Sequence, residues 1–436
     1  MADSPLLPPA AVRGMTLLDR AAFRRPLDVC ALRVPRDSIT AVCRLVKAQM
    51  LRVPALRPVQ QAEELEPGLA GGEAGGDAAQ KVVLLDPGQV KDEDDLPWPG
   101  LRQLGLEPAA SFCRLPLALT YENYRADAVL RAVLPGDQDG CTSFSRVGHL
   151  IHLNLKEHLL PYGRLIGAVL MDKHSGVRTV VNKLNTIDNT FRNFSMELLA
   201  GEPDYVVDAR ENGCGFRMDF SQVYWNPRLC TEHERVVALL RRGDTLLDVF
   251  AGVGPFAVPA ARKGCHVLAN DLNPESARWL RHNVQANKVA ERVQTFNMDG
   301  REFIRTEVKR AALEFLTEKP GQAQMHAVLN LPALAIEFVD AFLGLLSPEE
   351  LPEGSHLPLR AHVYTFTKEL EVAEQSVRAM LNANLGRDVA EHVQEVFMVR
   401  NVAPNKLMYR ITWDVPREVL CALATEPARK RPKIDE

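Results

Sequence analysis

The 436-residue chain is longer than one ordinary domain, and we expect two or three. Its formal net charge of −4 excludes a global positive field for nucleic acids, so any contact with RNA has to come from a local basic surface. The eight cysteines contain no CxxC pair, which favours reduced thiols and argues against a metal site. The apolar runs are too short to span a bilayer, and we predict no membrane partner.

Basic residues lie near both ends of the chain. Arg13, Arg20, Arg24 and Arg25 are typical of a mitochondrial presequence, whereas the aspartates around them are not. Residues 421–436 are predicted as a basic tail, in which "ARKRPK" is equally compatible with a nuclear import signal and with a solvated end.

Residues 1–140 are predicted to form a small N-terminal domain. Apolar residues at helical spacing behind an Asp/Ser cap predict a helix over 37–52, and a second helical pattern covers 121–135. Around 60–100 this pattern is lost: "AEELEPGLAGGEAGGDAA" cannot bury a core, and "KDEDDLPWPG" is an acidic connector broken by prolines. We therefore predict a flexible acidic, glycine-rich insertion there.

Residues 141–220 are predicted as a mixed α+β module, because strands and helices do not alternate regularly. "SFSRVGHLIHLNL" and "LIGAVLMDKH" have the composition of short strands with a turn between them, and "FRMDFSQVYWNP" alternates apolar and polar residues like a strand at a sheet edge.

From residue 221 to 420 strands and helices alternate, which predicts a parallel sheet with right-handed crossovers. The predicted strands are "TLLDVF", "HVLAND", "VQTFNMD", "HAVLNLP" and "AHVYTFTK", each followed by a helical pattern, and the region ends in an antiparallel hairpin. The fold class is thus multidomain α/β, with a C-terminal Rossmann-like domain, a mixed α+β middle module and a small N-terminal domain. Ligands of such sheets bind at the carboxyl ends of the strands.

A glycine turn follows the first of these strands. "GVGPFA" satisfies the GxGxxG/A pattern of dinucleotide sites, and no Lys-Ser/Thr follows it, which excludes a P-loop. Two residues argue against a pyrophosphate: Asp248 would bring a carboxylate close to it, and Pro255 removes a backbone N–H donor from the start of the helix.

S-adenosylmethionine carries no phosphate and suits the turn better. Its positively charged methionine end is predicted to lie near Asp248 and the turn of Gly252 and Gly254. Asp271, at the end of the second strand, is placed to accept hydrogen bonds from the ribose hydroxyls, and Asp299, after the third, from the adenine amino group.

"NLPA" ends the fourth strand and contributes Asn330 and Pro332 to the predicted cofactor and substrate site. Methyltransferases that act on exocyclic amines have Asn/Asp-Pro-Pro and an aromatic residue here. Leu331 and Ala333 depart from that pattern, which favours a ring nitrogen or carbon as the acceptor.

Several motifs together resemble one family. They are "FSRVGHLIHLNL", "NTIDNTFRNFSMELLAGE", "VYWNPRLCTEHERV", "DVFAGVGPFAVPAA", "ANDLNPES", "NLPA" and "RNVAPNK". On these the chain is similar to the archaeal/eukaryotic-type tRNA (guanine-37-N1) methyltransferases, from about Gly14 to Trp413. The resemblance implies a monomer whose N-terminal domain contacts the outer corner of tRNA. It also implies methyl transfer from S-adenosylmethionine to N1 of guanosine 37, beside the anticodon, and leaves open whether inosine is accepted.

The resemblance also implies three catalytic residues. Glu232 corresponds to the family's general base, Arg192 to the arginine that stabilises charge on guanine O6, and Arg228 to a residue that orients the base or a phosphate. The residues alone favour simpler interpretations, an i,i+4 ion pair on a helix for Glu232 and Arg228 and a surface charge for Arg192, and the resemblance reverses that preference.

Two other functions and the location of the protein stay open at this point. The alternatives are a tRNA aminocarboxypropyltransferase of wybutosine synthesis, which uses the same cofactor, and a non-catalytic tRNA-binding protein. The resemblance implies action on cytosolic and mitochondrial tRNAs, hence localisation in the mitochondrial matrix, nucleus and cytoplasm. A basic surface for tRNA is predicted near the first helix, at Arg44, Lys47, Arg52 and Arg57.

Overall fold

The computed structural model describes residues 4–62, 80–136, 143–187, 194–318, 322–403 and 405–422. The described residues divide into two compact units. The first is drawn from residues 1–144, 151–183 and 197–203, and the second from residues 145–150, 184–196 and 204–436.

An antiparallel sheet forms the centre of the first unit. Its strands are β1 (Arg25–Val34), β2 (Val59–Gln61), β3 (Lys81–Leu84) and β4 (Phe112–Leu119), in the order β2-β3-β1-β4. The central strand β1 pairs Ala31 with Leu84 on one side and Arg25 with Leu119 on the other. Its second half is almost entirely buried, as expected for a strand covered on both faces.

Short α-helices accompany this sheet. They are α1 (Ile39–Leu45), α2 (Trp98–Gln103), α3 (Pro108–Ser111), α4 (Ala126–Val133) and α5 (Gly163–Lys173). Short 3₁₀ helices cover Ala10–Val12, Ala21–Phe23, Arg36–Ser38, Glu93–Asp95, Tyr121–Asn123 and Glu157–Tyr162. Strands β5 (Ser145–Val147), β6 (Leu150–Leu153), β7 (Thr179–Ile187) and β8 (Phe194–Gly201) follow α4 along the chain.

Three sequence predictions in this region were wrong. The helix predicted over 37–52 ends at Leu45. "LIGAVLMDKH", predicted as a strand, lies in α5, because its buried residues recur at helical spacing and pack on α4 in one core. The acidic stretch 91–100 is folded: Asp92 caps the turn Glu93–Asp95, and Trp98 is buried. The predicted flexible insertion over 63–79 lies outside the described residues.

The second unit contains a small hairpin and a large mixed sheet. The hairpin consists of β9 (Val206–Glu211) and β10 (Cys214–Asp219). The sheet has seven strands in the order β13-β12-β11-β14-β15-β17-β16. Its strands are β11 (Thr245–Asp248), β12 (His266–Asn270), β13 (Val293–Phe296), β14 (Met325–Leu329), β15 (Leu359–Thr367), β16 (Val393–Ala403) and β17 (Lys406–Asp414).

Strands β11 to β15 pair in parallel, whereas β17 is antiparallel to both of its neighbours. The helices are α6 (Cys230–Leu239), α7 (Ala257–Lys263), α8 (Pro274–Ala286), α9 (Gly300–Phe303), α10 (Lys309–Glu318), α11 (Ala373–Leu385) and α12 (Arg417–Leu420). A π-helix covers Ile304–Val308, and 3₁₀ helices cover Pro227–Leu229, Ala290–Arg292, Ala335–Phe342 and Ala390–His392. The predicted Rossmann-like architecture with its terminal hairpin is confirmed.

A buried asparagine joins the ends of two strands in this sheet. The side-chain amide of Asn270 donates to the carbonyl oxygens of Val249 at 3.1 Å and Met298 at 3.0 Å, and its oxygen accepts from the Met298 N–H at 3.0 Å. These bonds fix the loops that follow β11 and β13, where the predicted site residues lie.

The three-part division into 1–140, 141–220 and 221–420 stays a prediction. In the structure, residues 141–220, predicted as a separate middle module, are divided between the two units. Helix α5 belongs to the core of the first unit, and the β9–β10 hairpin belongs to the second unit. The arginine-rich N-terminal segment belongs to the fold as well, since Val12 and Phe23 are fully buried. Among the described residues, no helix is both long enough and apolar enough to cross a membrane.

Candidate active site at the carboxyl ends of the parallel strands

Four predicted polar residues lie at one edge of the seven-stranded sheet. Asp248 is the last residue of β11, Asp271 directly follows β12, and Asn330 directly follows β14. Asp299 comes three residues after β13. Because these strands are parallel neighbours, their carboxyl ends meet on the same side of the sheet, where ligands of this fold bind.

Asp248 is an uncompensated buried carboxylate. Its side chain is fully buried, and neither oxygen has a hydrogen-bond partner among the described residues. Burial, and next the charge of Asp271, raise the pKa of Asp248 well above its usual value. A buried acid without a donor costs free energy unless a ligand supplies donors or positive charge, so the residue fits the ammonium and sulfonium of S-adenosylmethionine.

Asp271 is hydrogen-bonded to the backbone of the glycine turn. Its Oδ2 accepts from the Gly252 N–H at 2.8 Å, and its Oδ1 from the Asn273 N–H at 2.9 Å. Burial raises the pKa of Asp271 to about 6, although these two hydrogen bonds act in the opposite direction. Each carboxylate oxygen can accept a further hydrogen bond, which leaves room for the two predicted ribose hydroxyls.

The glycines of the turn are required for different reasons. Gly252 and Gly254 both have a positive φ, of 54° and 101°, which disfavours other residues. A Cβ at Gly254 would lie 2.8 Å from Leu280 Cδ1, so this glycine permits the turn to pack on α8. A Cβ at Gly252 would meet no atom within 4 Å, and the space beside it is open to a ligand.

Asp299, Asn330 and Pro332 complete this edge. Asp299 is exposed and caps α9: its Oδ1 accepts from the N–H groups of Arg301 at 2.8 Å and Glu302 at 3.3 Å. A contact with adenine would therefore fall to its other oxygen. Asn330 is half-buried, and its buried Oδ1 has no partner among the described residues. Pro332 is half-buried beside it.

Glu232 lies in the first turn of α6 and is 3% exposed. Its Oε1 accepts a hydrogen bond of 2.9 Å from the Tyr364 hydroxyl and lies 3.0 Å from Nε of Arg410. Its Oε2 accepts from Nη1 of Arg235. The carboxylate is thus surrounded by donors from α6, β15 and β17.

The other predicted catalytic residues are placed differently. Arg228 is exposed in the 3₁₀ turn before α6, and within the described part of the chain no ion pair joins it to Glu232. The i,i+4 pair considered from the sequence was therefore wrong; the helical partner is Arg235, at i+3. Arg192 lies outside the described residues.

Sequence reasoning missed Tyr364, Arg410 and Arg235 as neighbours of Glu232. Arg410 is 1% exposed in the apolar strand β17, where a fully buried arginine is rare unless it is paired. An arginine inside the apolar run "LMYRITW" could therefore have been predicted from the sequence to have a buried partner. Its pairing with Glu232 of α6 could not, because that contact depends on β17 lying antiparallel beside β15.

Two protein families match parts of this chain. The TRM5/TYW2 methyltransferase domain matches residues 207–347, and the TYW2 N-terminal domain matches residues 127–204. The tRNA (guanine(37)-N(1))-methyltransferase of Drosophila melanogaster is 46% identical over 434 residues, which cover 98% of this chain and 91% of the fly protein. The protein of the same name from Danio rerio is 47% identical over 440 residues, with 98% and 89% covered.

Two solved structures share the fold. Trm5b from Pyrococcus abyssi has a TM-score of 0.57 at 21% identity, covering 88% of this chain and 98% of the archaeal one. The complex of aTrm5 with tRNALeu contains a chain with a TM-score of 0.58 at 18% identity, covering 89% and 100%. At these identities the likeness concerns the fold.

The two buried acids predict that the ligand-free protein loses stability as the pH rises. Because the folded pKa of each acid is raised, its contribution to stability is fully present below about 3.8. That contribution is lost as the pH rises through about 6 for Asp271 and through the raised pKa of Asp248. Asp248→Asn removes the buried charge, although it leaves an unpaired amide. We expect its unfolding temperature to exceed that of the wild type by roughly 3 °C or more at pH 8, and by less at pH 5.

The same variant should lose the stabilisation that saturating S-adenosylmethionine gives the wild type in a thermal-shift assay. Asp208→Asn, at an aspartate of the same unit whose side chain is 76% exposed, is the control and should change neither quantity. An Asp248→Asn protein that is less stable than the wild type at pH 8 would contradict the assignment of an uncompensated charge.

Proposed function

The chain belongs to the tRNA (guanine(37)-N(1))-methyltransferase family, and from this premise we propose how its site works. It is an S-adenosylmethionine-dependent methyltransferase whose substrate is tRNA, and the methyl acceptor is N1 of guanosine 37. The proposed cofactor site rests on one observation. Asp248, at the carboxyl end of β11, is a fully buried carboxylate without a partner among the described residues.

The residues at the strand ends fit the cofactor. When bound, S-adenosylmethionine supplies an electrophilic methyl group on a positively charged sulfur. We propose that Asp248 meets its positive charge, that Asp271 accepts from the ribose hydroxyls, and that Asp299 and Asn330 contact the adenine and the target base. The open space beside Gly252 supports this placement.

The acceptor atom determines what the protein has to add. N1 of guanine carries a proton, and its lone pair becomes available only when that proton leaves and negative charge moves toward O6. We propose that Glu232 takes the proton. Arg192 is the proposed donor to O6, and the exposed Arg228 is available to orient the base or a phosphate.

Further properties are proposals of the same kind. We propose that the protein acts as a monomer, that it contacts the anticodon loop and the outer corner of tRNA, and that it serves mitochondrial and cytosolic tRNAs from the matrix, nucleus and cytoplasm. Four basic residues on the surface of the first unit support the outer-corner contact: Arg44, Lys47, Arg52 and Arg57.

The product identifies the reaction. Incubation of the full chain with labelled S-adenosylmethionine and unmodified tRNA should yield 1-methylguanosine on nucleoside mass analysis, and tRNA with adenosine at position 37 should give none. A product heavier by an aminocarboxypropyl group would identify the sister enzyme instead. If no modified nucleoside formed although tRNA bound, the protein would be a non-catalytic tRNA-binding protein.

Glu232→Gln tests the proposed base. Glutamine keeps the size and polarity of the side chain but cannot accept the N1 proton, so single-turnover methyl transfer at pH 7 should fall about a hundredfold or more. Glu395→Gln is the control, because Glu395 also pairs with Arg410 but does not contact the carboxylate proposed as base. A Glu232→Gln enzyme with the wild-type rate would show that another group takes the proton.

The proposed basic surface predicts a defect in tRNA binding alone. Changing Arg44, Lys47, Arg52 and Arg57 to glutamine should weaken tRNA binding and lower the slope of log K against log salt by about 1 for each phosphate that the variant no longer neutralises. Cofactor affinity should not change. Substitution is preferable to deletion, because removal of 1–135 would divide the core that α4 and α5 share.

A double variant, Arg102→Gln with Arg131→Gln, controls for the loss of exposed charge in the same unit, since each of these arginines is paired with a nearby acid. Equal tRNA affinity and salt slope in the quadruple variant and the wild type would leave the four residues as ordinary solvated charges.

A further inference from the structure

The two oxygens of Glu232 are held in different ways. Oε1 faces Tyr364, which is fully buried, and Arg410, which is 1% exposed. Oε2 faces Arg235, whose side chain is 38% exposed. Buried donors on two strands of a sheet have fixed positions, whereas a half-exposed arginine on a helix can change rotamer at little cost.

The surroundings of this carboxylate are balanced in charge. Arg410 also donates to Glu395 of β16 at 2.8 Å, so two acids and two arginines form one cluster. The guanidinium groups of Arg235 and Arg410 lie 4.2 Å and 5.5 Å from the ring centre of Phe397. Since Arg410 is committed to two acids inside the protein, Arg235 is the arginine of the cluster that can leave.

Arg410 itself is incompletely satisfied. Its Nε lies close to Oε1 without the alignment of a hydrogen bond, and its Nη1 has no partner among the described residues. The hydrogen bond from Tyr364 is therefore what orients Oε1, while Arg410 supplies charge and spare donors. Oε1 of Glu232 is therefore fixed by buried groups, whereas Oε2 is covered by an arginine that can move away.

Resting on the proposed role of Glu232 as the base, we propose that Tyr364 and Arg410 are positioning residues that anchor Oε1, and that Arg235 is a displaceable cover on Oε2, the atom that receives the N1 proton. The ligand that displaces Arg235 is a phosphate of the bound tRNA, because it is the competing anion that the substrate brings. The base is thereby uncovered only when substrate is present.

The step balances. The N1–H bond of guanine breaks and an Oε2–H bond forms, so Glu232 becomes neutral while the electron pair stays on the guanine ring and O6. N1 uses that pair to form its bond with the methyl carbon, and the carbon–sulfur bond breaks with its electrons left on sulfur. Glu232 afterwards releases the proton to solvent, and Arg235 returns to Oε2.

A simple structural role makes a different prediction. If the cluster only stabilises the packing of α6 on β15 and β17, the loss of any member lowers the stability of the fold. It then slows methyl transfer by the same factor at every pH. Among the residues that the structure describes, the charged and titratable groups that contact Glu232 are Arg235 of α6, Tyr364 of β15 and Arg410 of β17. Behind them lie Glu395 of β16, His362 of β15 and Asp248 of β11. The proton-acceptor role predicts changes in the pH profile.

The experiment measures single-turnover methyl transfer by the full chain on unmodified tRNA from pH 5.5 to 9. Tyr364→Phe removes a donor that stays on the carboxylate in the tRNA complex, so its acidic limb should move to higher pH by roughly half a unit or more. In the complex saturated with tRNA the phosphate has already displaced Arg235 from Oε2, so Arg235→Gln should leave the acidic limb where it is in the wild type. Their plateau rates should differ. Tyr364→Phe loses the orienting bond, and its plateau should fall about tenfold.

Arg235→Gln uncovers Oε2, so its plateau should stay within about twofold of the wild type. Its tRNA affinity should fall, and the salt slope of binding should drop by about 1. Arg410→Gln removes the positive charge beside Oε1, so its acidic limb should also move to higher pH, which preserves the test if Tyr364→Phe does not fold.

Matched controls are Tyr409→Phe on the same sheet, Arg310→Gln in an i,i+3 ion pair of α10, and Arg360→Gln, whose partner is Asp414. None should move the acidic limb. The reverse pattern, with a low plateau in Arg235→Gln and a normal one in Tyr364→Phe, would make Oε1 the acceptor and overturn the proposal, as would an unmoved acidic limb in Tyr364→Phe or a shifted one in Arg235→Gln. Absence of 1-methylguanosine from the wild type would instead refute the proposed function.

Discussion

The second unit depends on a carboxylate that the protein buries and does not pair. Asp248 ends β11, an interior strand of the seven-stranded sheet, and among the described residues it has no donor. Folding alone gains nothing from a charge in that place, since an unpaired buried ion is costly. Donors or positive charge from a ligand would offset this cost, and that is the basis on which we propose Asp248 as a contact of the cofactor's positive charge.

Glu232 is the contrasting case in the same unit. It is as deeply buried as Asp248, yet three side chains donate to it or lie within ion-pair distance. The protein itself supplies the positive charge for Glu232, whereas it leaves the charge of Asp248 to the ligand. The two acids thus have contrasting surroundings: Asp248 lacks a positive charge that a ligand can supply, and Glu232 is held by donors that fix its orientation.

What could be predicted from the sequence follows from how local each signal is. The glycine turn and the acids after three strands depend on short stretches, and the sheet edge appeared where the strand–helix alternation placed it. The strand prediction for α5 was wrong because its uninterrupted run of apolar residues hides in the sequence the helical spacing that the buried positions have in the structure. The cluster around Glu232 joins residues more than a hundred positions apart, and no local pattern in the chain encodes that contact.

Tyr364 connects the two acids and explains how they work together. Burial raises the pKa of Tyr364 well above its usual value, and the charges of Glu232 and Asp248 act in the same direction, whereas Arg410 opposes them. The hydroxyl therefore keeps its proton and remains a donor to Glu232 throughout the neutral range. When a cation neutralises Asp248, one of the two anions that act on Tyr364 is screened, and the hydrogen bond to Oε1 is retained. A cofactor bound at Asp248, as proposed, would therefore neutralise that acid and leave Tyr364 hydrogen-bonded to Glu232, the proposed base.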